Sequence, residues 1–123
     1  MEDKGPATCI VLVVDDEPDL RSLLRAILER AGYGVVEAAH GVAALERVRR
    51  SPPQLVVTDQ MMPLMNGGEL IELLRAGEST KAIPIVMISG TRAIQSGADA
   101  VLRKPFDPGD LIVLVDGLTG KER

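Results

Sequence analysis

The chain has 123 residues, the size of one ordinary domain, with room for a single core and a single site. Hydrophobic residues make up 46% and charged residues 26%, a globular balance that excludes disordered, collagen-like and coiled-coil chains. A net charge of −4 with no Trp, one Tyr and one Phe leaves neither a basic surface nor aromatic platforms, so no direct nucleic-acid partner is expected. The single cysteine, Cys9, cannot close an internal disulfide and heads an apolar run, as a small buried hydrophobe would. No apolar stretch approaches the roughly 20 residues needed to cross a bilayer. The opening MEDKGPATC also lacks the basic region and apolar core of a signal peptide, so the expected location is the cytoplasm, with no membrane partner.

Residues 1–8 read as an N-terminal extension, and the domain is expected over 9–118. Ile10 to Val14 is a β-branched run without in/out alternation, which suits a strand covered on both faces. Leu20, Leu23, Leu24, Ile27, Leu28 and Ala31 then recur at helical spacing, with Pro18 near the start and Gly32 just past the end. Val35 to Val36 is a second run. His40 and Gly41 suit a surface turn ahead of a short helical pattern, Val42 to Val48, whose Arg47, Arg49 and Arg50 form a solvated face. Leu55 to Val57 is a third run, and the turn-forming Asn66-Gly67-Gly68 introduces a helix over Glu69 to Arg75. Ile85 to Ile88 and a weak Val101 to Leu102 complete the strands. Leu111 to Leu118 is apolar nearly all round, compatible with a last helix or a buried strand, and residues 119–123 read as a tail. Strands alternating with helices predict one doubly wound α/β domain with a parallel sheet.

The chemistry-bearing residues stand at the ends of those runs. Asp15 and Asp16 directly follow the first, Asp59 closes the third after Thr58, Ser89 and Gly90 end the fourth, and Lys104 with Pro105 follows the fifth. In an open α/β sheet, ligands bind beyond the carboxyl ends of the strands. Three carboxylates converging there repel one another and call for a cation; hard oxygen donors completed by water suit Mg²⁺. A metal, a carboxylate nucleophile, a hydroxyl and a fixed ammonium around one point suit stabilisation of a transferring phosphoryl group.

VLVVDDEP, VVTDQMMPLMNG, IVMISG and LRKPF, in that order, resemble the receiver domain of bacterial two-component response regulators. The resemblance covers Ile10 to about Leu118. It implies a flavodoxin-like five-stranded sheet ordered 2-1-3-4-5, an order that placing the two acidic strands side by side also favours. It further implies that Asp59 takes a phosphoryl group as a carboxylate nucleophile, with Ser89 and Lys104 contacting the phosphoryl oxygens. Asp16 and the backbone carbonyl of Met61 would ligate Mg²⁺ with Asp59, and Asp15 would shape the metal site largely through water. The Lys104-Pro105 bond would be cis. The donor would be a sensor histidine kinase or a histidine phosphotransfer protein, and the output would pass to a further protein. The domain would thus be a signalling phosphoacceptor that assists its own phosphorylation and dephosphorylation rather than an enzyme.

Two departures qualify the resemblance. Ser89 and Lys104 are about two helical turns closer in sequence than receivers usually place them, so the fourth of the family's helices is expected to be vestigial. Val101 stands where receivers usually carry a Tyr or Phe that swings between states. These losses support an alternative, a degenerate receiver acting as a constitutive protein-binding module. An Asp-nucleophile phosphatase is disfavoured, because Met61 stands where that class has a second acid.

Overall fold

The computed structural model describes residues 9–90 and 97–122. Their order is β1 (Ile10–Val14), α1 (Pro18–Arg30), β2 (Gly34–Ala38), α2 (Gly41–Arg50), β3 (Leu55–Asp59), α3 (Gly67–Ala76), β4 (Ile85–Ser89), β5 (Ala100–Arg103) and α4 (Pro108–Thr119). The five strands form one sheet in the order β2-β1-β3-β4-β5, every pairing parallel, as the sequence predicts. The expectation of a vestigial helix between Ser89 and Lys104 falls largely on residues 91–96, outside the described residues.

Each helix starts where local chemistry stops the preceding strand or loop. Pro18 opens α1 with Asp19 in its first turn, and Gly32 closes it at φ 98, a left-handed conformation that favours glycine. His40 is the N-cap of α2, where its exposed ring Nδ1 accepts the Ala43 N–H at 3.2 Å. Asn66 and Glu69 close a reciprocal capping box on α3, at 2.8 and 2.9 Å. The ambiguous Leu111 to Leu118 stretch is helical: Asp107 caps it, Pro108 occupies its first turn, and Gly120 ends it at φ 78.

The core has two layers, one on each face of the sheet. Leu12, Val14, Val56, Ile85 and Met87 pack against α2 and α3 through Leu45, Val48, Leu70, Ile71 and Leu74. On the other face Val11, Val13, Val57, Ile88 and Leu102 meet Leu24, Leu28, Leu111 and Val115 of α1 and α4, with half-buried Cys9 at the margin. Inner strands buried on both faces explain the unbroken apolar runs.

The amino-terminal edge of the sheet is fastened by side chains. The Arg75 guanidinium donates to the carbonyls of Lys81 and Ile83, both at 2.7 Å, and to Asp99 at 2.7 Å. Asp99 in turn accepts the Ile85 N–H at 2.7 Å, so the starts of β4 and β5 are tied to the end of α3. Lys121 donates to the Ala31 carbonyl at 2.9 Å and lies over the Tyr33 ring, 4.6 Å from its centroid, which fixes the end of α4 to the turn after α1.

Candidate functional site

The strand order reverses between β1 and β3, and the acidic residues gather at their carboxyl ends. Val14 pairs in register with Thr58, so the next residue of each strand, Asp15 and Asp59, stand side by side. Asp15, Asp16 and Asp59 each bring one carboxylate oxygen into a cluster within 4.8 Å. Asp15 is fully buried, Asp59 is nearly so, and Asp16 is exposed.

The electrostatics of this cluster are unbalanced. Burial pushes the Asp15 carboxyl above its ordinary value, and the neighbouring Asp59 and Asp16 add to the effect, against an opposing hydrogen bond from the Glu17 N–H and the charge of Lys104. Asp15 Oδ1 accepts that Glu17 N–H at 2.8 Å, whereas its Oδ2 is buried with no hydrogen-bond partner. An orphaned carboxylate oxygen beside two more carboxylates fits a cation with hard oxygen donors, which would remove both the repulsion and the unmet hydrogen-bonding demand.

Lys104 supplies positive charge beside the cluster. Its Nζ lies 3.3 Å from Asp59 Oδ1, and its backbone N–H donates to the Ser89 carbonyl at 2.7 Å. The Lys104-Pro105 bond is cis. Ser89 is fully buried at the end of β4, and its hydroxyl donates to Gln60 Oε1. Among the described residues, a side chain at Gly90 would meet only the Lys104 stem, 4.0 Å away.

The loop after Asp59 is folded tightly onto it. The Gly67 N–H donates to the Gln60 carbonyl at 2.9 Å, and a Cβ on Gly67 would stand 2.4 Å from the Asp59 carbonyl oxygen, so only glycine fits. Leu64 has φ 69 and is fully exposed, and Met61, two residues beyond Asp59, has its side chain 68% exposed. Met62 and Met87 are core residues and Met65 is half-buried.

Every residue expected at the site therefore lies at this one edge of the sheet, with Asp15, Asp16, Asp59 and Lys104 in direct proximity, Ser89 beside Lys104, and Met61 in the adjoining loop. Sequence reasoning missed Gln60, which holds Ser89, and Arg21, whose guanidinium donates to the Asp15 carbonyl at 2.6 Å. The available signal for Arg21 is indirect: Glu37 is the only acid in the β2 segment, and Arg21 and Arg25 repeat at helical spacing across from it.

A doubly wound parallel sheet with an acidic cluster, a lysine and a hydroxyl at its switch point defines a class of phosphate-handling α/β domain. The model of the response regulator receiver domain matches residues 11–116, and the chain belongs to that family of two-component signal-transduction domains. It is 37% identical over 112 residues to the DNA-binding response regulator MtrA of Mycolicibacterium smegmatis, covering 85% of this chain and 48% of that protein. It is 36% identical over 116 residues to hybrid signal transduction histidine kinase D of Dictyostelium discoideum, covering 89% of this chain and 7% of the kinase. The chain thus spans less than half the length of either curated relative. Among solved structures, chemotaxis protein CheY4 of Vibrio cholerae superposes with a TM-score of 0.85 at 30% identity, covering 91% of this chain and 99% of that one.

Proposed function

We propose that this domain accepts a phosphoryl group on Asp59 from a phosphohistidine donor in the cytoplasm, with Mg²⁺ bound by Asp16, Asp59 and the Met61 carbonyl, and Asp15 holding metal-bound water. The observation that carries the reading is the Lys104 ammonium 3.3 Å from Asp59 Oδ1, in a cluster whose Asp15 keeps a buried oxygen without a partner. Asp59 thus belongs both to an ion pair with a fixed cation and to an acidic cluster suited to a metal ion.

An oxygen of Asp59 attacks phosphorus, the phosphorus–nitrogen bond of the donor breaks, and the leaving imidazole takes up a proton from solvent. Lys104 neutralises charge on a phosphoryl oxygen, and the Ser89 hydroxyl, turning from Gln60, donates to another. Bound Mg²⁺ supplies charge neutralisation and orientation of the phosphoryl oxygens. The same groups serve dephosphorylation, in which water attacks phosphorus, the bond to the Asp59 oxygen breaks and inorganic phosphate leaves. Exposed Met61 and Leu64 beside Asp59 offer apolar contacts to a sensor histidine kinase or a histidine phosphotransfer protein, and the output passes by docking to a further protein. A constitutive binding module would not require a buried carboxylate held against its own desolvation cost, so the assembled charges favour the phosphoacceptor.

Incubation with acetyl phosphate and Mg²⁺, read by intact mass, tests this. The wild type gains one phosphoryl group, Asp59→Asn gains none, and Asp16→Ala gains none although the nucleophile remains. Phosphorylation of Asp59→Asn at the wild-type rate would overturn the assignment.

A further inference from the structure

Asp15 has four hydrogen-bonding groups, and the protein satisfies three of them. Its N–H donates to the Ala38 carbonyl at 3.2 Å, its Oδ1 accepts the Glu17 N–H at 2.8 Å, and its carbonyl accepts Arg21 Nη1 at 2.6 Å. Only Oδ2 is left, buried and unpartnered. Arg21 is itself held: Nε donates to Glu37 Oε1 at 2.8 Å, and Glu37 Oε2 accepts Arg25 Nη1 at 2.5 Å. The Arg21 N–H is already committed to the Glu17 carbonyl at 2.9 Å, so its side chain reaches back from the helix and cinches the Asp15-Asp16-Glu17 turn against α1.

We propose that Arg21, braced by Glu37, is a positioning residue for the cation site: it fixes the Asp15 backbone so that Oδ2 can aim only into the acidic cluster. This inference rests on the reading of that cluster as a Mg²⁺ site. Two effects of Arg21 oppose each other there. Its positive charge repels a cation, and its hydrogen bond orders the ligand turn. Glu37 decides the balance, because its carboxylate sits directly on the guanidinium and, with Glu29 on the neighbouring Arg25, leaves this group of two arginines and two glutamates without net charge, while salt screens the remaining field over about 8 Å. Glu37 is well suited to stay ionised, since hydrogen bonds from Arg25 first and Arg21 second outweigh its desolvation and hold its carboxyl below the ordinary range. Ordering should therefore win, and removing Arg21 should weaken cation binding even though it removes a positive charge. Groups that hydrogen-bond a metal ligand directly typically change metal affinity by about 10- to 100-fold when lost; Arg21 acts through the backbone of the ligand turn, so its effect belongs at the lower end of that range.

The test is Mg²⁺ binding by calorimetry and by amide chemical shifts of Asp16 and Gln60, at low and high salt, with unfolding of the metal-free proteins measured in parallel. Arg21→Ala is expected to bind Mg²⁺ about tenfold more weakly than wild type. Glu37→Gln, which keeps the guanidinium but removes its counter-charge, should lose about threefold, with part of the loss recovered at high salt. Arg21→Ala binding Mg²⁺ as tightly as wild type, or more tightly, would overturn the inference, as would a loss of thermal stability with no change in affinity. If the amide spectrum shows that Arg21→Ala does not fold, Glu37→Gln decides, and unchanged affinity there overturns it. A wild type that binds no Mg²⁺ would remove the functional reading itself, and this inference with it; a wild type that binds while the variants match it removes the inference alone.

Discussion

At the scale of single residues, Asp15 carries the clearest energetic conflict in the molecule. Its carboxyl is raised by burial, so the folded chain holds the Asp15 proton more tightly than the unfolded chain does. The stabilising contribution of that protonation is fully present below the unfolded-state value and is lost as pH rises through the folded one. Asp15→Asn removes the charge while keeping the shape, and its amide can donate toward the neighbouring carboxylates. In metal-free buffer at neutral pH the variant should be more stable than wild type by about 1 kcal/mol, and the gap should narrow as pH falls toward the ordinary carboxylate range. Urea unfolding at several pH values checks this, and a variant less stable than wild type at neutral pH would contradict it. Asp15, Asp16, Asp59, Ser89 and Lys104 were legible in the sequence because each stands one or two residues past an apolar run. Arg21 and Glu37 were not, because a charged residue on a helix or edge strand looks solvated until the register brings its partner across, and Gln60 was not, because a polar residue in a loop gives no sign of its partner Ser89 on another strand.

Elements were legible in proportion to how one-sided their environment is. The α1 pattern is unambiguous because one stripe is buried, whereas Leu111 to Leu118 mixes buried Leu111 and Val115 with Val113 at 70% exposure, so hydropathy alone could not separate helix from strand. The caps settle it. β2 runs past the apolar pair to Gly34 and Ala38, because Glu37 is accommodated by two arginines rather than by solvent. β5 read as weak, and its burial shows why. Leu102 faces α4 and is 9% exposed, whereas Val101, in register with the fully buried Met87 of β4, is 37% exposed. The two neighbours should respond differently to substitution. Leu102→Ala should cost about 2–4 kcal/mol by leaving a cavity against α4, whereas Val101→Thr should stay within about 0.5 kcal/mol. Denaturant midpoints at constant slope check both values, and a Val101→Thr loss as large as that of Leu102→Ala would show that this face of β5 is covered.

For the whole molecule, the strand alternation followed from the sequence because parallel strands buried on both faces leave unbroken apolar runs, whereas the sheet order came from the resemblance to receiver domains, with the two acidic strand ends side by side as further support. What the sequence could not display is the division of labour between the two edges of the sheet. The amino-terminal edge is fastened by Arg75, Asp99 and Lys121, with its charges paired or donating to carbonyls. Among the described residues, the carboxyl edge keeps three carboxylates against one close ammonium. Charge left unbalanced in the folded state but dispersed in the unfolded chain is a reserve that a cation can draw on, since a ligand that binds only the folded state stabilises all of it. Mg²⁺ at ten times its dissociation constant should therefore add about 1.4 kcal/mol to the wild type, and about 2.7 kcal/mol at a hundred times. Asp15→Asn and Asp16→Ala should show little of this gain. The order of stability between wild type and Asp15→Asn should consequently reverse on adding Mg²⁺: the variant leads without metal, and the wild type overtakes it once the site is saturated. Thermal unfolding of both proteins across a Mg²⁺ series reads this crossing directly. Parallel curves, with both proteins stabilised equally by the salt, would mean that the added stability comes from general screening of a chain of net charge −4 and not from the site.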